Sequence, residues 1–109
     1  MTATTVSRIV PREMLPGFSA RFIHSERMTF AYWEIEAGAR LPEHSHPHEQ
    51  VAHMLEGFFE LTIAGNSHLL SPGSVIAIPP DAVHSGLALT RCRIMDAFAP
   101  VREDYVSAA

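Results

Sequence analysis

Gly38-Ala-Arg-Leu-Pro-Glu-His44-Ser-His46-Pro-His-Glu-Gln50-Val-Ala-His-Met-Leu-Glu-Gly57 is the stretch whose reading decides the fold. It holds four of the seven histidines, and His44 and His46 stand two apart. Residues two apart in an extended chain point to the same face, so these two imidazoles can close on one ion. Neutral imidazole suits Zn, Cu, Fe and Ni, and carbonyl or carboxylate oxygens can complete such a site. Gln50 offers an amide oxygen on the same side of the chain. A further ligand has to come from elsewhere, and His84, just past Ile78-Pro-Pro-Asp81, is the candidate. The competing reading is a proline-flanked, solvated histidine loop. His48-Glu49 opens like the zinc-protease pattern H-E-x-x-H, but position 52 is Ala and the segment has no helical period.

Working outward, the 109 residues fit one domain, 1–109, with a single core. Apolar residues make up 47% and charged residues 18%, a balance that argues against disorder. The net charge of −4, without a single lysine, argues against a nucleic-acid footprint. Cys92 is the lone cysteine and lies in an apolar run, where it reads as a buried small hydrophobe. No intrachain disulfide can form, in keeping with a reducing cytoplasm. No stretch approaches the ~20 apolar residues of a spanning helix, and the N-terminus lacks the apolar core of a signal peptide. The expectation is a cytoplasmic protein with no membrane partner.

The hydrophobic pattern is that of strands. Phe18–Ile23, Met28–Glu36, Gln50–Glu56, Phe58–Ala64, Ser67–Leu70, Val75–Ile78, Val83–Leu89 and Cys92–Phe98 are separated by turn signals such as Gly65-Asn66 and Ser71-Pro72-Gly73. No segment keeps a helical period over ten residues. Many short strands imply an all-β sandwich or barrel. Residues 1–16, with prolines at 11 and 16, read as an extended arm that packs on a partner subunit or frays. His24 and His68 lie at turns and read as solvated, while His53, at odd spacing from Gln50, should face away from it. Tyr32 and Trp33 lie on opposite faces of one strand, so one of them can line a pocket; core filling accounts for either.

The spacing of both histidine segments resembles the cupin superfamily. Gly38, five residues, His44-x-His46, three residues, Gln50, six residues and Gly57 match its first motif, and Gly73 through Pro79 to His84 its second. Three positions depart from the pattern: Gln50 stands for the usual Glu, Asp81 for a glycine and Ala88 for an asparagine. The resemblance covers about residues 28–98 and implies a single-domain jelly-roll barrel, or double-stranded β-helix. It also implies one divalent transition ion (Ni, Zn, Mn or Fe) held by His44, His46, Gln50 and His84. A narrower likeness lies in Asp96-Ala-Phe98-Ala-Pro100-Val-Arg102-Glu-Asp-Tyr105, which resembles the pectin-degradation cupins of the KdgF type. That resemblance implies conversion of 4,5-unsaturated uronate to 4-deoxy-5-keto uronate, with Asp96, Phe98 and Arg102 lining the pocket.

The residues themselves allow these roles. Ile94, Asp96 and Phe98 share a strand face, so the two apolar side chains draw Asp96 inside, where an acid is costly unless paired or close to a metal. Asp96 is then either a structural hydrogen-bond partner, an ion pair with Arg93 or Arg102, or a general acid/base. Arg102 is either a salt bridge to Glu103 or Asp104, or a clamp on a substrate carboxylate. Phe98 would pack against the sugar ring. The neutral Gln50 amide leaves the full charge on an ion, which favours Lewis-acid over redox chemistry. Glu49 or His48 turning toward the metal is an open alternative. The leading expectation is therefore an isomerase-type enzyme acting on a small carboxylated sugar. The rival expectations are a small cupin dioxygenase and a non-catalytic sugar-binding cupin. A homodimer is expected, two-fold dimers being the commonest assemblies.

Overall fold

In the computed structural model, which describes residues 3–106, the chain forms ten strands and almost no helix. They are β1 (Arg12–Leu15), β2 (Phe18–His24), β3 (Thr29–Ile35), β4 (Arg40–His44), β5 (Glu49–Glu56), β6 (Phe59–Ile63), β7 (Asn66–Leu70), β8 (Val75–Ile78), β9 (His84–Ala88) and β10 (Cys92–Ala99). A helical turn, α1 (Glu103–Val106), follows the last strand, and a short 3-10 helix spans Val6–Arg8. The strands assemble into a six-stranded antiparallel sheet, β1-β2-β3-β10-β5-β8, and a four-stranded one, β4-β9-β6-β7. This is the all-β architecture that the turn spacing predicts, in the jelly-roll form that the resemblance implies.

The inner face of the large sheet follows from alternation. Cys92, Ile94, Asp96 and Phe98 of β10 are buried while Arg93 is exposed, and Gln50, Ala52 and Met54 of β5 are buried in step with them. Across the barrel, Phe59 and Leu61 of β6 and Leu70 of β7 close the core. Cys92 is fully buried, as its apolar run predicts. Gly86 on β9 leaves the space that the Phe59 ring fills, since a Cβ there would lie 2.3 Å from ring carbons.

Two regions differ from the sequence expectation. Residues 12–15 of the expected arm join the chain's own sheet as the edge strand β1, paired with β2. Arg40–His44, read from sequence only as extended chain, is the edge strand β4; an edge tolerates Pro42 because one side of the strand needs no ladder donors. Asp81, where a glycine is expected, has φ of +64°, a left-handed conformation that Asp adopts more readily than most residues. The substitution therefore keeps the turn, and the Asp81 N–H donates to the His46 carbonyl at 2.8 Å.

Gly57 joins β5 to β6 at φ +84°, and a Cβ would lie 2.1 Å from the Arg91 carbonyl oxygen. Gly65 has the same φ, +84°, but nothing within 4 Å of a Cβ. Gly65→Ala should therefore cost only the conformational strain of a left-handed alanine, about 1 kcal/mol, whereas Gly57→Ala adds a backbone clash and should cost about 3 kcal/mol. Urea midpoints at unchanged m-value check this. Equal losses for the two variants would refute the clash.

Candidate metal centre

His44 ends β4 and pairs directly with His84, the first residue of β9; their ring centroids are 4.1 Å apart. A register shift between Leu41 and His44 aims the end of β4 at the barrel interior. His46 follows in the loop to β5, its centroid 5.1 Å from that of His84. Gln50 enters on the inner face of β5, opposite Phe98 of β10. The site thus draws on both sheets and the loop between them.

Each histidine is oriented by its own backbone. Nδ1 of His44 lies 2.8 Å from the Pro42 carbonyl, Nδ1 of His46 3.1 Å from that of His48, and Nδ1 of His84 2.9 Å from that of Ala82. A carbonyl only accepts, so each Nδ1 carries the proton and each Nε2 presents a lone pair. One nitrogen from each ring lies within 4.8 Å of the others. An outer-shell carbonyl on the far ring nitrogen is the arrangement metal-binding histidines use.

Gln50 sharpens the fit. Its Oε1 lies 3.1 Å from Nε2 of His46. With the His46 proton on Nδ1, these are two lone-pair donors facing one space, which repel unless a cation lies between them. A separation near 3 Å is that of two neighbouring ligands, each about 2.0–2.1 Å from one ion. The Gln50 amide N–H₂ lies toward Asp96, which leaves Oε1 for His46. Burial, reinforced by the Arg102 charge and by His84, lowers the His46 pKa to about 4, so the ring is neutral as a ligand must be. Burial lowers that of His84 too, opposed by the Ala82 carbonyl. His44, His46, Gln50 and His84 could therefore hold a divalent ion. Glu49 points to solvent, and His48 lies outside the three-histidine cluster.

A cavity of about 330 Å³ adjoins the cluster, within the range of small-molecule sites. Asp96 lines it, and burial pushes its carboxyl up to about 7, while the Gln50 amide, the Trp33 indole and Arg102 pull it partway back. Arg102 lines it too and is buried, its guanidinium 4.8 Å from the Phe98 ring centroid and 4.1 Å from that of Tyr105. Nε and Nη2 donate to the two oxygens of Asp104 at 3.0 and 2.7 Å, so the ion-pair reading of Arg102 is the one the structure shows. That pair holds Asp104 below the usual carboxylate range and leaves Nη1 outside the fork. Phe98 is buried beneath Arg102 and beside His46, supporting both.

Sequence reading missed the parts that hold this wall. Arg12 on β1 donates to the Tyr105 carbonyl, and its guanidinium lies 4.6 Å from the Phe22 centroid; Phe22 in turn lies 4.6 Å from Tyr105. Thr29, wholly buried, accepts from the Arg102 N–H at 2.9 Å and shares a 2.8 Å hydrogen bond with Nδ1 of His24. His24 is therefore not a solvated turn residue: it is half-buried and stacks on Phe22. His68 is exposed, and His53 lies on the face opposite Gln50, both as expected. Of Tyr32 and Trp33, Trp33 lines the cavity, a placement that its alternation with Ala31 and Ile35 could have revealed.

The fold and site have known counterparts. A family model described as "Cupin domain" matches residues 31–98. KdgF from Halomonas sp. superposes with a TM-score of 0.88 at 25% identity over 95% of this chain and 99% of that one. An RmlC-like cupin from Shewanella frigidimarina gives 0.89 at 23% identity over 94% and 93%. Ectoine synthase from P. lautus gives 0.82 at 18% identity over 93% and 79%. No curated protein matches the sequence.

Thr29→Val keeps the shape of the side chain but strands the Arg102 N–H. The cost should be about 1–3 kcal/mol, read as a lower urea midpoint. An unchanged midpoint would show that the strand-to-turn bond carries no weight.

Proposed function

This chain belongs to the cupin domain family, and from that premise we propose that it is a metal-dependent cupin that opens the ring of a small unsaturated sugar acid. The reading is carried by one observation: His46 Nε2 and Gln50 Oε1 face each other as lone-pair donors beside two more histidines, with Asp96 and Arg102 on the same cavity. The near full-length likeness to the Halomonas KdgF supports 4,5-unsaturated uronate as substrate and 4-deoxy-5-keto uronate as product.

A divalent ion, when bound, would supply Lewis acidity toward a substrate oxygen. His44, His46, Gln50 and His84 would hold it, and the amide in place of a carboxylate would leave its charge unneutralised. Arg102 binds the substrate carboxylate through the guanidinium edge that Asp104 leaves open. The reaction is an isomerisation. The C1 hydroxyl proton passes to the ring oxygen as the bond from C1 to that oxygen breaks, giving an aldehyde at C1 and an enol at C5. The enol becomes a ketone as Asp96 delivers a proton to C4 and the enol hydroxyl proton returns to Asp96. No atom is gained or lost overall.

Elemental analysis of purified protein should find one divalent transition ion per chain, and His46→Ala should lose it. Protein that stays metal-free after incubation with Ni, Zn, Mn and Fe would overturn the centre.

Unsaturated uronate should lose its ultraviolet absorbance faster with the protein than without it. Asp96→Asn should slow this by about 10²–10⁴-fold while retaining the ion. Arg102→Ala should raise KM if the clamp holds substrate and transition state equally. Absence of any acceleration by the wild type would refute the activity, and consumption of dioxygen would favour the dioxygenase alternative.

A further inference from the structure

The outer face of the larger sheet departs from the pattern of a solvated one. An antiparallel sheet with one face in water ordinarily alternates apolar inside with polar outside. Here the pairing registers place Ile23, Phe30, Ala97, Val51 and Ala77 in one outward row across β2, β3, β10, β5 and β8. No member of that row is polar. The next row, two residues along each strand, is Arg21, Tyr32, Met95, His53 and Val75. On β3, β10 and β5 these side chains are half-buried, and on β8 they are exposed, Val75 by 58%. A third row, Glu34, Arg93 and Glu56, alternates in charge. Arg21 closes on Glu34 at 3.1 Å and Arg93 on Glu56 at 3.4 Å. The segment before β1 borders this face at β2, where Arg21 Nε donates to the Ile9 carbonyl at 2.9 Å.

Five strands about 4.8 Å apart and three rows about 6.8 Å apart span roughly 500 Å². A specific interface needs about 1,000 Å² in total, or about 500 Å² from each partner. The face is therefore large enough, and its centre carries the aromatic and methionine side chains that interfaces favour.

We propose that this face binds a second copy of the chain, the two sheets packing about a two-fold axis that runs along the strands between β3 and β10. The charges choose both the occupant and the axis. About that axis each row meets itself, and β3 lies over the partner's β10. Glu34 then faces the partner's Arg93, and Arg93 faces the partner's Glu34. Phe30 meets the partner's Ala97, large against small, and Tyr32 meets the partner's Met95. An axis moved onto β10 sets Arg93 against its own copy and Glu34 against Glu56. An axis across the strands reverses the rows and sets Arg93 against Ala99. Like charges facing each other cost affinity, and a charge facing a methyl group loses its water without gaining a partner. Only the first arrangement matches sign and size together, and a self-complementary pattern is what a two-fold contact requires. The face lies on the reverse of the strands that carry Trp33, Asp96 and Phe98 to the cavity, so it is independent of the proposed reaction.

Light scattering of the purified protein at micromolar concentration should give twice the 12.0 kDa mass of the chain. Ala97→Arg puts an unpaired charge at the centre of the contact and should weaken the dimer by about 100-fold or more. Leu69→Arg, on the exposed face of the smaller sheet, should leave it unchanged. Glu34→Arg alone and Arg93→Glu alone each set like charges together and should be largely monomeric. Mixed in equal amounts, these two variants should form a heterodimer, since both cross-contacts are then of opposite sign. A further measurement uses the unaltered protein: the Met95 methyl resonance should shift as the dimer is diluted apart, while that of Met54, in the core, stays in place. A wild-type monomer at micromolar concentration overturns the proposal, even if another protein is later found on the face. A dimer that survives Ala97→Arg, a mixture without heterodimer, or a Met95 methyl that does not move on dissociation overturns it too.

Discussion

Three hydrogen bonds from ring nitrogens to backbone carbonyls, on Pro42, His48 and Ala82, hold the histidine cluster in its shape. Each acceptor lies two residues from its own histidine, so the imidazoles are oriented by the segments that carry them. No side chain elsewhere has to be positioned first. The Asp81 N–H, bonded to the His46 carbonyl, then ties the loop before His84 to the loop carrying His46. Two local segments distant in sequence become one rigid set of donors. Pre-oriented ligands lose little freedom on meeting an ion, which is how a small barrel can build such a site without a large supporting shell.

The other wall depends on β10. It is bonded on both sides, to β3 and β5, and a slip of one residue would turn Ile94, Asp96 and Phe98 outward. Burying Ile94 and Phe98 therefore fixes Asp96 in the interior. Beyond it runs a column of charges and rings: Phe98, Arg102, Tyr105, Phe22 and Arg12. Cation–π contacts of this kind contribute about 0.5–2 kcal/mol each, the more so where water is excluded. They place the Arg102 guanidinium where its bond to Asp104 alone would leave it free to swing.

Much of this was legible in the sequence, and the divide has a physical basis. Alternation and turn glycines gave most of the strands, because burial of one face imposes a period of two that composition cannot hide. The histidine spacing pointed to the cluster, because the two-residue step places His44 and His46 together whatever surrounds them. The edge strands β1 and β4 were not legible as strands: each pairs on one side only, is flanked or interrupted by proline, and is held by tertiary contacts. His24 looked solvated because its partners, Thr29 and Phe22, come from tertiary pairing across the hairpin. The burial of Arg102 was not legible either: the rings beside it, Phe98 and Tyr105, are near in sequence, but the turn that folds them around it is held by Thr29 and Arg12 from distant strands.

The position of β10 also bears on how the chain reaches this state. The strand β10, made after the nine others described, occupies the middle of the larger sheet, between strands made much earlier. Until Cys92–Ala99 leaves the ribosome, β3 and β5 have nothing to join them, while the hairpin of β6 and β7 and the pairing of β4 with β9 need no residue beyond 88. The smaller sheet, with His44 and His84, can therefore form while the larger one waits. Closure then becomes a single late event dominated by contacts distant in sequence, the regime in which folding is slow. A nascent chain of this design exposes unpaired strand edges until β10 arrives, which makes it a natural client for chaperones during synthesis.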